Sequence, residues 1–140
     1  MLKIEHIGIA VKDLEKSNEL FAKLLGKPHY KTEKVESEKV STSFFKTGEN
    51  KIELVEASNS DSAIAKFIEK RGEGLHHIAF EVEDIEKEIE RLLAEGFEPT
   101  GSSRKPFRGA DNKMVFFFHP KTSNGVLIEL CQEIKTDDRQ

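Results

Sequence analysis

Two short stretches of the chain alternate apolar and polar residues in nearly the same lettering. In residues 6–16, HIGIAVKDLEK, the side chains of Ile7, Ile9 and Val11 fall on one face of an extended chain. In residues 77–87, HIAFEVEDIEK, those of Ile78, Phe80 and Val82 do the same. Alternation of this kind predicts a strand with one face on a core. Each stretch then passes into a helical period. Leu14, Leu20, Phe21, Leu24 and Leu25 make one apolar stripe, and Ile85, Ile89, Leu92 and Leu93 the other. Asp13 and Asp84 stand where a carboxylate caps free N–H groups at a helix start. Gly26 and Gly96 are the predicted stops. Further strands are predicted near 28–36, 39–47 and 50–56, and again near 97–103, 112–119 and 125–133. A third helix over 60–71, capped by Ser60 and with Ile64, Phe67 and Ile68 on its apolar face, joins the two series. The polar segment 135–140 predicts a frayed tail.

The two series are a repeat. Six of the eleven aligned positions are identical, and the alignment matches His6 with His77 rather than with His76. Downstream, KIEL at 51–54 matches LIEL at 127–130 and pairs Glu53 with Glu129. The expectation is an α+β fold, one domain over 1–140, built from tandem β-α-β-β-β modules over about 1–70 and 71–135. Their strands are expected to form a curled, half-barrel-like mixed sheet around a metal site.

Neighbouring strand residues point to opposite faces. His6 and His77 therefore lie opposite the apolar face, beside the small residues Gly8 and Ala79. Glu53 and Glu129 are flanked by Ile52, Leu54, Ile128 and Leu130 and obey the same rule. A lone His or Glu on such a face is ordinarily solvated surface. Its recurrence in both copies points instead to a convergent set of two imidazoles and two carboxylates. That set suits a divalent first-row metal with positions left open for substrate oxygens. By the same alternation His76 is expected on the packed side, in the core or an interface. His29 is expected at the surface, and His119, before Pro120, at a strand end. Cys131 shares the face of Glu129, and nothing marks it as a nucleophile. The phenylalanine run 116–118 is expected to be core strand.

Composition narrows the function. The chain has 140 residues, 34% of them charged, and a net charge of −4, which argues against nucleic acid as the main partner. No apolar run is long enough to span a membrane, and the first residues lack the apolar segment of a secretory signal. One cysteine permits no intrachain disulfide and suits a cytoplasmic location.

The duplicated module with His6, Glu53, His77 and Glu129 resembles the vicinal oxygen chelate superfamily, or glyoxalase/bleomycin-resistance fold, over the chain to about residue 134. Within it, GLHHIAFEV at 74–82 and HPKTSNGVLIELCQ at 119–132 are similar to the methylmalonyl-CoA epimerases. Glyoxalase I lyases tend to carry an Asp-Pro-x-Gly turn before the same glutamate. The resemblance implies an isomerase that interconverts the two epimers of methylmalonyl-CoA, an acyl-CoA substrate of propionate metabolism, through an enolate. It implies one divalent metal per chain, with cobalt favoured and zinc, manganese or nickel as alternatives, and a homodimer. Glu129 is then the first choice for a base, with Glu53 as its geometric counterpart on the other side. Lys121, Arg104, Lys105 and Arg108 are expected to meet the CoA end. Thr42 stands where some relatives carry a glutamate proposed as a second base, which leaves the second proton carrier open. The competing readings are a lactoylglutathione lyase of the glyoxalase I type and a metal-free small-molecule-binding member of the superfamily.

Overall fold

The structure, a computed structural model, describes residues 1–135; the tail residues beyond them lie outside the described part. The strands are β1 (Lys3–Ala10), β2 (Lys31–Val35), β3 (Val40–Thr47), β4 (Asn50–Ala57), β5 (Gly74–Glu81), β6 (Phe107–Arg108), β7 (Lys113–Phe118) and β8 (Leu127–Glu133). The helices are α1 (Leu14–Leu25), α2 (Ala63–Arg71) and α3 (Ile85–Ala94). All the strands join one curled mixed sheet in the order β2-β3-β4-β1-β5-β8-β7-β6. β1 runs parallel to β4, β5 runs parallel to β8, and β1 and β5 meet antiparallel at the centre. The repeat is thus expressed as two halves related across the β1–β5 seam.

Each half lays a helix on the outer face of the sheet. Under α1, Leu14, Phe21 and Leu25 pack with Val11, Phe45 and Leu54. Under α3, Ile85, Ile89 and Leu92 are buried with Phe116, Phe118 and Leu130. The predicted stripe of α1 is corrected at two positions: Leu20 and Leu24 are 62% and 70% exposed. They are four residues apart and form their own row, one step around the helix from the face carrying Phe21 and Leu25. Asp13 and Asp84 cap their helices as expected, accepting from the backbone N–H of Lys16 and Lys87 at 3.1 and 3.2 Å. Gly26 closes α1 in the left-handed conformation. α2 is capped by Ser62 rather than Ser60; Ser62 Oγ accepts from the Ala65 N–H at 3.0 Å. It packs on the inner side of the first half, with Ile64 against Val35, Val40 and Val55.

The predicted strand at 97–103 is also corrected. Only an isolated bridge, Pro99 to Phe118, remains of it, and the hairpin partner of β7 is the short β6. Proline has no N–H to give a ladder, and the Gly-Ser-Ser run that follows has little strand propensity. The β6–β7 turn, by contrast, ties the two ends of the curled sheet together. Asp111 receives Lys51 Nζ at 2.7 Å and Lys31 Nζ at 2.5 Å, and its own N–H donates to Glu33 Oε1 at 2.8 Å. Lys31 and Glu33 belong to β2, the opposite edge of the sheet.

Candidate metal centre

The inner face of the sheet encloses a cavity of about 440 Å³. Its floor carries His6, Glu53, His77 and Glu129, each only 6–7% exposed. His6 Nε2 and His77 Nε2 are 3.1 Å apart. Glu53 Oε1 lies 3.2 Å from the first nitrogen and 3.4 Å from the second. Glu129 Oε1 lies 3.4 and 3.1 Å from the same two atoms. His6, Glu53 and His77 each offer a ligand atom within 4.8 Å of the other two, and Glu129 adds a donor against both imidazoles. The structure therefore brings together all four residues that the repeat singled out.

The surroundings of the two histidines depart from simple strand alternation. β1 and β5 each contain a bulge in their shared ladder. Ile4 faces Phe80 and His6 faces Ala79, so Glu5 is the extra residue of β1. Gly8 faces His77 and Ile9 faces Leu75, so His76 is the extra residue of β5. A bulge inserts one residue and re-aims its neighbours. In both strands the extra residue precedes the site histidine and contacts its Nδ1. Glu5 Oε1 is 2.5 Å from His6 Nδ1, and His76 Nδ1 is 2.9 Å from His77 Nδ1. The expectation that His76 sits on the packed side is corrected: it lines the cavity and sets its ring edge-on to Phe67 of α2, 4.8 Å between centroids. Glu5 is in turn held by Lys51 at 2.7 Å, which links the bulge to the Asp111 clamp.

Electrostatics follow from this crowding. Burial opposes charge on His6, but Glu129, Glu5 and Glu53 outweigh it and hold its proton affinity well above the ordinary value. His77 is likewise disfavoured by burial yet raised to about 9 by Glu129 and Glu53. Burial pushes the Glu53 and Glu129 carboxyls up, and the imidazoles facing them pull both below the usual range. Glu5 is pushed up by burial and brought down to about 2 by His6 and Lys51. His76, buried beside His77, falls to about 4 and is neutral near pH 7.

His6, Glu53 and His77 pass a geometric test for a divalent ion, Glu129 meets both imidazoles from beside them, and the four together pass a charge test. Metal–donor bonds of about 2.1 Å place adjacent donors about 3.0 Å apart in an octahedron and about 3.4 Å apart in a tetrahedron. The imidazole–imidazole and imidazole–carboxylate separations of 3.1–3.4 Å match those edges. Two imidazolium groups and two carboxylates sum to zero charge, as do two neutral imidazoles, two carboxylates and one divalent cation.

The rest of the cavity is largely apolar, with Phe44, Val115 and Phe117 among its walls. Two polar side chains stand out. Thr42, 1% exposed, has a hydroxyl with no hydrogen-bond partner among the described residues. Glu38, on a short 3₁₀ turn between β2 and β3, lines the same space. Burial and the Glu129 and Glu53 carboxylates push its carboxyl up to about 7 against the opposing pull of His77. Cys131 is fully buried in the wall, and burial raises its thiol far above the ordinary value, consistent with an inert side chain. Arg104, Lys105, Arg108 and Lys121 are exposed and lie outside the cavity lining. Arg108 contacts Asn112, and Lys121 contacts Glu98 at 2.9 Å. His119 caps the turn at Pro120 by accepting from the Lys121 N–H. His29 is half-buried against Phe45.

Glu5, His76 and Glu38 were not apparent in the sequence as parts of this site. A glutamate directly before a repeated histidine was the one available signal for the first.

Comparison with known proteins places these features in a family context. Residues 5–118 match the family model described as Glyoxalase/Bleomycin resistance protein/Dioxygenase superfamily. An ethylmalonyl-CoA/methylmalonyl-CoA epimerase of Cereibacter sphaeroides is 38% identical over 131 residues, covering 93% of this chain and 97% of the relative. An uncharacterized protein of Bacillus subtilis (strain 168) is 37% identical over 132 residues, covering 94% of this chain and 93% of the relative. A solved structure of methylmalonyl-CoA epimerase in complex with methylmalonyl-CoA and NH4+ superposes with a TM-score of 0.89 at 32% identity over 95% of each chain.

Proposed function

The chain belongs to the glyoxalase/bleomycin resistance/dioxygenase superfamily, and from that membership we propose that it is an isomerase that interconverts the two epimers of methylmalonyl-CoA. The observation that carries this reading is the convergence of His6, Glu53, His77 and Glu129 on the floor of an apolar cavity large enough for a short acyl group. In this reading the four residues hold one divalent ion, with cobalt, zinc, manganese and nickel all compatible with imidazole and carboxylate donors. Held there, such an ion would supply positive charge that makes the α-hydrogen of a bound thioester more acidic.

The chain's own groups do the rest. Phe44, Val115 and Phe117 surround the acyl portion and exclude water, which strengthens every electrostatic contact inside. Glu5 and His76 hold the two imidazoles by their Nδ1 atoms and so fix which nitrogen points inward. Glu129 takes the α-hydrogen as a proton, and return of a proton on the opposite face inverts the centre. Arg104, Lys105 and Arg108 flank Phe107 at the cavity wall and, with Lys121, meet the CoA end from outside. A second copy is assigned to the open apolar cleft lined by Ile7, Leu75, Ile78 and Val126, where Leu75 is 73% exposed. No helix among the described residues is long and apolar enough to cross a membrane.

The test starts from one epimer of methylmalonyl-CoA and the metal-loaded protein. The expected result is an equal mixture of epimers, with no thioester absorbance from methylglyoxal and glutathione. Lactoylglutathione formation without epimer inversion moves the assignment to the lyase.

A further inference from the structure

We propose that Glu38 is the second proton-carrying group of the site, acting across the bound acyl group from Glu129. This rests on the epimerase reading above and completes it, since inversion needs proton exchange on two faces of one carbon. Glu129 comes from β8 in the second half of the curled sheet, and Glu38 from the turn joining β2 to β3 in the first. Both line the same cavity, Glu129 on its floor and Glu38 on the turn between β2 and β3, so the two carboxyls reach its contents from different elements. Glu38 forms no hydrogen bond or ion pair with protein among the described residues, and its Oε2 lies against the β6–β7 hairpin, 3.5 Å from where a Cβ on Gly109 would sit.

The alternatives for this role are otherwise engaged. Glu53 sits on the cavity floor against the same two imidazoles as Glu129, at 3.2 and 3.4 Å, and so offers no separate element from which to reach the acyl group. Thr42 lines the same wall, but an alcohol does not take up a proton near neutral pH. A group that titrates near pH 7, as Glu38 does, is populated in both its acid and base forms under working conditions.

The step balances as follows. The bond between the α-carbon and hydrogen breaks, its electron pair stays on the substrate as an enolate, and the proton passes to the Glu129 carboxylate. Glu38, protonated at the outset, gives its proton to the opposite face and ends ionised. The pair is then set for the reverse reaction, and exchange with solvent resets it.

The experiment compares wild-type protein and Glu38→Gln in D₂O, starting from each epimer separately, with metal content measured. Wild-type protein exchanges and inverts both. Glu38→Gln is expected to keep its metal and to exchange the α-hydrogen of the epimer that faces Glu129, while inversion falls about 10²–10⁴-fold. From the other epimer both processes fall. Glu38→Ala, supplied with formate, is expected to regain part of the lost inversion, which a purely structural defect does not allow. Inversion by Glu38→Gln within a few-fold of wild type, with metal bound, overturns the role of Glu38. Failure of the wild-type protein itself to exchange or invert overturns the epimerase reading, and this role with it.

Discussion

Opposite each site histidine stands a residue with almost no side chain. His77 faces Gly8 across the central ladder, and His6 faces Ala79. A Cβ at Gly8 would overlap the His77 ring, so glycine there is a condition of the ring's position. The residue before each histidine supplies the other constraint, through its contact with Nδ1. His77→Ala is expected to abolish tight metal binding. His76→Ala is expected to weaken it about 10–100-fold, the usual cost of losing a partner behind a ligand; titration of metal-free protein with a divalent ion checks both. A His76→Ala protein with unaltered affinity would deny the neighbouring ring any positioning role. Affinity should also depend on pH. The imidazoles hold protons more tightly than free histidine, with His77 at about 9, and an ion must displace those protons. Binding therefore strengthens as pH rises toward 9 and weakens as it falls, with protons released to the buffer on binding.

Among the elements, the repeated strand–helix unit was legible because period-two alternation, an aspartate cap and a glycine stop agreed in both copies. The bulges were not legible. A bulge shifts the phase of a strand by one residue without altering which residue types it contains, so strict alternation assigned His76 to the wrong side and passed over Glu5. The strand expected at 97–103 failed for a different reason: apolar residues are present, but proline, glycine and serine deny the segment a ladder. Leu20 and Leu24 satisfy a helical period and still face outward, because a periodic row does not by itself say which neighbour it meets. The caps are the most direct energetic test at this scale. Asp84→Ala removes the acceptor for the Lys87 N–H and is expected to cost about 0.5–2 kcal/mol, read as a lower denaturant midpoint at unchanged slope. Retention of the wild-type midpoint would mean that packing under α3 alone sets the start of that helix.

At the scale of the whole molecule, the duplication produces the site. Each half contributes one imidazole from its first strand and one carboxylate from its last, and the β1–β5 seam brings the pairs together. That convergence could be inferred from the repeat because equivalent positions on a pseudo-twofold sheet face a common centre. Closure of the cavity could not, since it depends on Asp111 reaching Lys31, Lys51 and Glu33 from a loop whose sequence drew attention only to its basic residues. Glu38 was hidden for a related reason: a glutamate in a charged turn resembles solvated surface until the curled sheet covers it. The most direct test of the account follows α-hydrogen exchange and inversion of methylmalonyl-CoA in D₂O, using loaded protein, the same protein after chelation, and protein to which a divalent ion has been restored. The account predicts deuterium at the α-carbon together with inversion in the first, loss of both in the second, and recovery of both in the third. Loaded protein that neither exchanges nor inverts, or ion-free protein that continues to do both at the full rate, would contradict it.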